Sequence, residues 1–98
     1  MLTHIVIWKY HAETPPQARQ EHIARLGGLA TLLPEIRGFN VGPDILHLPR
    51  SYDTGLVAVF KDRAALDAYT AHPRHVEVAN FGREISEHVA SVDFESED

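Results

Sequence analysis

The stretch from Leu2 to Tyr10 constrains the fold more than any other, because it is apolar on both of its faces. Its Ile, Val and Trp content reads as a β-strand. Leu2, His4, Val6, Trp8 and Tyr10 alternate onto one face, and Thr3, Ile5, Ile7 and Lys9 onto the other. Gly55 to Phe60 repeats the pattern, with Leu56, Ala58 and Phe60 opposed to Val57 and Val59. Strands of this kind need cover on both sides. The chain has 98 residues, enough for one domain. A domain of that size buries only a modest share of its surface, and an oligomer is a natural way to bury more.

Helices and shorter strands fill the rest. Thr14-Pro15-Pro16-Gln17 reads as a helix start, with Thr14 as cap, Pro15 in the first helical position and Gln17 completing a capping box. Ile23, Leu26, Ala30 and Leu33 follow at helical spacing, and Pro34 ends the helix. Gly27-Gly28 weakens it or admits a neighbouring backbone. Gly38 to Leu48 reads as an interrupted or edge strand, broken at Gly42-Pro43-Asp44. Pro49 to Thr54 is a loop. Asp62 caps a short helix with Ala65, Leu66 and Tyr69 inside. Pro73 breaks that helix and opens another, whose apolar stripe is Val78, Phe81 or Gly82, and Ile85. His88 to Phe94 is the last strand.

The order β-α-β-β-α(α)-β is that of an α+β, ferredoxin-like sandwich. It makes one domain over residues 1–94, followed by an acidic, frayed tail over 95–98. The helices of such a fold cover one sheet face. The other face is apolar on at least two strands, so a second copy is expected to cover it in a closed two-fold homodimer.

Composition narrows the function. Lys and Arg number 9 against 14 Asp and Glu, a formal charge of −5. That balance argues against nucleic-acid binding, which needs clustered cations. No apolar run approaches a membrane span, and the first residues lack the pattern of a signal peptide, so a soluble, cytoplasmic protein is expected. With no cysteine there is no disulfide, no Cys-based metal site and no thiol nucleophile. Seven histidines remain as the groups that titrate near neutrality.

Tyr69-Thr70-Ala71-His72-Pro73-Arg74-His75-Val76 is the most distinctive stretch. His75 falls in the first turn of a helix and on the stripe of Val78, Gly82 and Ile85, facing the sheet. Burial and the positive end of the helix dipole both lower its pKa. A neutral imidazole is what a general base needs, and a nearby Tyr69 hydroxyl is a donor for a carbonyl or enolate oxygen. His4 points into either the helix–sheet space or the dimer space. Each residue also has a packing role to weigh. His72 suits a helix cap, Tyr69 a core position with its hydroxyl at the rim, and His4 a core histidine. His11, His22, His47 and His88 read as surface residues. Arg74, Glu77, Arg83, Glu84 and Glu87 read as an exposed helix face. His72 and His75 have no third ligand placed to make a zinc site.

This sequence resembles the stress-responsive dimeric A/B barrel (Dabb) family over about Met1 to Phe94. His4-Ile5-Val6, Tyr52 to Phe60, Ala65 to Val76 and Val92-Asp93-Phe94-Glu95 carry the resemblance. It implies a ferredoxin-like protomer and a dimeric αβ barrel with facing sheets. Related dimeric αβ-barrel proteins include cofactor-free monooxygenases, and a plant member of the family is a polyketide cyclase. The functional tyrosine and histidine of that cyclase fall on Tyr69 and His75, and a histidine of its pocket on His4. Gly55 stands where the cyclase has another histidine. Plant stress members hold a cation on backbone carbonyls after the first helix; the matching positions are Ala30, Leu33 and Ile36.

The expectation is a pocket between helices and sheet for a small apolar, aromatic or polyketide-like molecule. His75 and Tyr69 are the expected catalytic groups, with His4, His72 and Trp8 against the substrate. The chemistry is proton abstraction leading to cyclisation or oxygenation, with no cofactor and no side-chain metal site. The alternative is a non-catalytic stress-response or structural dimer.

Overall fold

Residues 1–97 are described by the structure, a computed structural model. The elements are β1 (Leu2–Tyr10), α1 (Pro16–Gly27), β2 (Ile36–Pro43), β3 (Thr54–Phe60), α2 (Arg63–Ala71), α3 (Pro73–Ile85) and β4 (Ser86–Glu95). The strands form one antiparallel sheet in the order β2-β3-β1-β4, with the helices on one face. This is the ferredoxin-like α+β fold. Among the described residues, no helix is long and apolar enough to cross a membrane.

Register decides what meets what. On the helix-covered face, Phe39, Ala58, His4 and Asp93 form one row across the sheet, and Val41, Leu56, Val6 and Ser91 the next. The core sits over these rows, where Leu2, Leu56, Ala58 and Phe60 meet Leu26, Leu66, Tyr69 and Val78 of the helices. On the opposite face, Asn40, Val57, Ile5 and Val92 form a row beside Gly38, Val59, Thr3 and Phe94. Val57, Val92 and Phe94 are exposed there.

The start of α1 differs from the expected capping box. Pro15 is the cap residue, Pro16 takes the first helical position, and no side chain caps the helix. The Thr14 hydroxyl instead donates to the Ile85 carbonyl at 3.0 Å, tying the entry of α1 to the end of α3. The helix also stops at Gly27, well before Pro34. Consecutive glycines lose more backbone entropy than any other pair, and the chain leaves the helix there. Turns then carry it to Ile36, through Leu29 N–H to Leu26 O and Leu32 N–H to Leu29 O. Ala30 and Leu33 therefore lie outside α1.

The second strand is an edge strand and stops at the expected break, with no strand over residues 44–48. It runs from Ile36 through Gly42 to Pro43, on the sheet edge, and proline is tolerated where the ladder ends. The Asp62 carboxylate accepts from the Ala65 N–H at 2.9 Å, the expected cap of α2. At the other end of the chain, β4 runs one position past Phe94, because Glu95 pairs with Leu2. Ser96 N–H then donates to the Met1 carbonyl at 2.9 Å. Of the expected tail, Asp98 lies outside the described residues.

Candidate functional site

The break between α2 and α3 builds half of the site. Tyr69 lies on the buried face of α2, 1% exposed. His72 then turns the chain through extended backbone, and Pro73 opens α3 at once. That geometry folds His75 back over Tyr69, with ring centroids 4.6 Å apart. Nδ1 of His75 lies 3.0 Å from the Thr70 carbonyl. A carbonyl only accepts, so Nδ1 carries the proton and Nε2 of the neutral ring holds the lone pair. Burial pushes the His75 pKa below its usual value, opposed in part by the hydrogen bond to the Thr70 carbonyl and helped by His4, Arg83 and His72. Burial pushes the Tyr69 hydroxyl up to about 12. Tyr69 is therefore a donor near neutrality, and among the described residues its hydroxyl has no hydrogen-bond partner.

His4 supplies the other half. Strand alternation left its direction open, and the structure turns it toward the helices. Asp93 sits directly across from it on β4, and the Asp93 carboxylate accepts from His4 Nδ1. In the neutral ring this also leaves Nε2 as the acceptor. The His4 ring stands edge-on to Tyr69 with centroids 6.2 Å apart. Tyr69 is thus flanked by two imidazoles whose Nδ1 atoms are both committed to the protein.

These groups open into a cavity of about 260 Å³ between the helices and β1 and β4. Val6, Trp8, Leu26, Leu56, Val78, Ala79 and Val89 give it apolar walls, and Thr70, Ser91 and Arg83 add polar groups. His4, Trp8, Tyr69 and His75 are brought together here as expected. His72 is not: it does not line the cavity, and its Nδ1 accepts from the Arg74 N–H at 3.1 Å as a helix cap. Gly55 lies on the uncovered sheet face, beside Ile7. A larger, more open groove of about 420 Å³ near Arg63, Asp67 and Glu95 carries no imidazole.

Arg83 is exposed on its helix face, as expected, and also lines the cavity. His22 is not a surface residue: it is fully buried. Tyr10 joins it to the sheet, with its hydroxyl 2.7 Å from His22 Nδ1 and donating to Thr54 Oγ1 at 2.8 Å. Burial lowers the His22 pKa to about 4. The signal was spacing: His22, Leu26 and Leu29 are the buried positions, four and seven residues apart, a phase offset by one from the stripe that starts at Ile23. Of the other histidines, His47 and His88 are exposed and His11 is half-buried.

Ala30, Leu33 and Ile36 follow α1, in the turns that lead into β2 and at its first residue. The Leu33 carbonyl accepts from the Ile36 N–H at 3.2 Å. Among the described residues, no cluster of three or more His, Asp or Glu side chains could hold a metal.

A family model described as the stress responsive A/B barrel domain (Dabb) matches residues 2–96. Comparison with curated proteins gives no match. Among solved structures, a dimeric ferredoxin-like protein from Jannaschia sp. CCS1 is 32% identical, with 97% of this chain and 98% of that one covered and a TM-score of 0.82. A dimeric ferredoxin-like protein from Thermobifida fusca YX is 22% identical, with 95% and 88% covered and a TM-score of 0.87. A hydroxynitrile lyase from Passiflora edulis is 18% identical, with 95% and 90% covered and a TM-score of 0.83.

Proposed function

The chain belongs to the stress responsive A/B barrel family, and from that premise we propose that it is a homodimer binding a small apolar or aromatic molecule and moving a proton on it without a cofactor. One observation carries the reading. Two imidazoles with their Nδ1 atoms tied down, and a phenol with no hydrogen-bond partner among the described residues, line one small apolar cavity. Pockets for drug-sized ligands run to roughly 300–1,000 Å³, so this cavity of about 260 Å³ suits a compact ligand.

The roles follow from the protonation states. His75, held neutral by burial, takes a proton at Nε2 from a carbon next to a carbonyl or from a phenol. The electron pair left behind moves onto the carbonyl oxygen as an enolate. Tyr69 donates its hydroxyl hydrogen to that oxygen as a hydrogen bond. The His75 imidazolium then returns the proton to another ligand atom, closing an isomerisation or cyclisation. His4, oriented by Asp93, presents a second imidazole edge-on to Tyr69. The uncovered sheet face is the place for the second copy, and the Jannaschia and Thermobifida neighbours are described as dimeric.

The test is turnover on a panel of small enolisable and phenolic carbonyl compounds. A positioned base is worth about 10²–10⁴-fold and a single oxyanion donor about 10²–10³-fold. His75→Ala and Tyr69→Phe should lower kcat/KM by about those factors while thermal unfolding stays cooperative. Equal rates in all three proteins remove the assigned roles.

A further inference from the structure

The proposed proton transfer leaves one lining group unused, the guanidinium of Arg83. His75, Ala79 and Arg83 recur every four residues, so they share one face of α3. Eight residues of helix separate the Cα atoms of His75 and Arg83 by roughly 12 Å. Helical side chains lean toward the helix N-terminus, and the exposed Arg83 reaches back one turn to Asn80 while also lining the cavity. Ala79, the residue of this face between His75 and Arg83, lines the cavity too. The Arg83 charge is felt at His75, where it opposes protonation.

This cation lacks a counter-charge. Its protein hydrogen bond goes to the Asn80 amide oxygen, at 2.8 Å. Among the described residues, no carboxylate lies within ion-pair distance of it. The cavity lining contains no Asp or Glu, in a protein whose formal charge is −5. Asp93, the nearest acid to the site in the sheet register, is committed to His4. An apolar cavity with one unpaired guanidinium is matched by a ligand that is apolar in its body and anionic at one end. A guanidinium also offers paired N–H groups in the geometry that a carboxylate accepts.

We propose that the ligand is a small carboxylic acid. Its carboxylate sits on Arg83, and its reactive carbon or phenol sits at His75 and Tyr69, toward the N-terminal end of the same helix face. This rests on the ligand-binding reading above and adds the substrate class. Arg83 is then a specificity-determining residue at the mouth, separate from the proton-transfer groups.

The experiment uses a matched probe pair, 4-hydroxyphenylacetate and the neutral 4-hydroxyphenylacetamide. Each is titrated into the full chain and followed by the amide NMR shifts of cavity residues. The acid should bind about tenfold more tightly than the amide, as expected for a charge-assisted pair. Arg83→Gln should weaken the acid about tenfold and leave the amide within about twofold. Arg83→Lys should keep part of the preference, since it keeps the charge and loses the fork. Equal binding of acid and amide, or a preference that survives Arg83→Gln, overturns the carboxylate assignment and leaves the ligand site standing. Shifts at no cavity residue with either probe overturn both.

Discussion

Gly82 shows how a single position can reverse a general rule. Replacing glycine by alanine inside a helix is ordinarily favourable by about 1 kcal/mol. At Gly82 a Cβ would stand 2.7 Å from His22 Nε2 and 3.0 Å from Trp8 Nε1. The His22 ring cannot swing away. It is fully buried, bonded to Tyr10, and packed edge-on against Trp8 with centroids 4.9 Å apart. Overpacking of this kind costs about 1–3 kcal/mol, which outweighs the helix propensity gain. Gly82→Ala should therefore lower the urea midpoint, and a variant as stable as the wild type would contradict this packing. The residues of the site were unequally legible in the sequence. Tyr69 and His75 could be read because a proline fixes the helix break between them. Trp8 and His4 followed from strand alternation, up to the choice of face. Asp93 could not be read, since its place opposite His4 depends on which residues of β1 and β4 pair. Arg83 could not be read as a lining group, because an exposed residue on the helix can still border a cavity that only the packing of α3 on the sheet creates.

At the level of elements, the strands were easier to read than the helix ends. Alternation over Leu2–Tyr10 and Gly55 to Phe60 needs only local pattern, and the first strand stands where it placed it while the second begins one residue earlier, at Thr54. The limits of α1 depended on competing partners. Thr14 serves the Ile85 carbonyl at 3.0 Å, a contact 71 residues away that no local motif announces. The sheet's uncovered face carries the prediction at this scale. Val57 is 41% exposed in the middle of that face, between Asn40 and Ile5 in the register. Its neighbours Leu56 and Ala58 point the other way and are buried. A lysine at Val57 therefore leaves the helix–sheet core intact and puts a charge at the centre of the proposed interface. An unpaired charge in such a place costs several kcal/mol. Sedimentation at micromolar concentration should show a dimer for the wild type and a folded monomer for Val57→Lys. An undiminished dimer in the variant would place the interface elsewhere.

For the molecule as a whole, the seven histidines do not act as one pH sensor. His22 has a folded pKa of about 4 against the usual 6.5, and burial is the cause. Its ring meets Tyr10, Trp8 and Phe81, and none of these offers a charge to stabilise the imidazolium. Above pH 6.5 the group is neutral in both folded and unfolded chains, and its contribution to stability is complete. As pH falls from 6.5 toward 4, the unfolded chain binds a proton that the folded one refuses, so stability falls. Below about 4 both forms are protonated and the loss levels off at about 3 kcal/mol. His75, also lowered by burial, adds a loss of the same sign. For a domain whose total stability is about 5–15 kcal/mol, this is a large share. Denaturant unfolding from pH 7 to pH 4 isolates the His22 part when wild type is compared with His22→Gln, which does not titrate. The variant should start lower at pH 7, through the weakened Tyr10 contact, and then lose less stability on acidification. Two curves that run parallel across that range would mean that His22 takes up its proton in the folded protein as readily as in the unfolded chain.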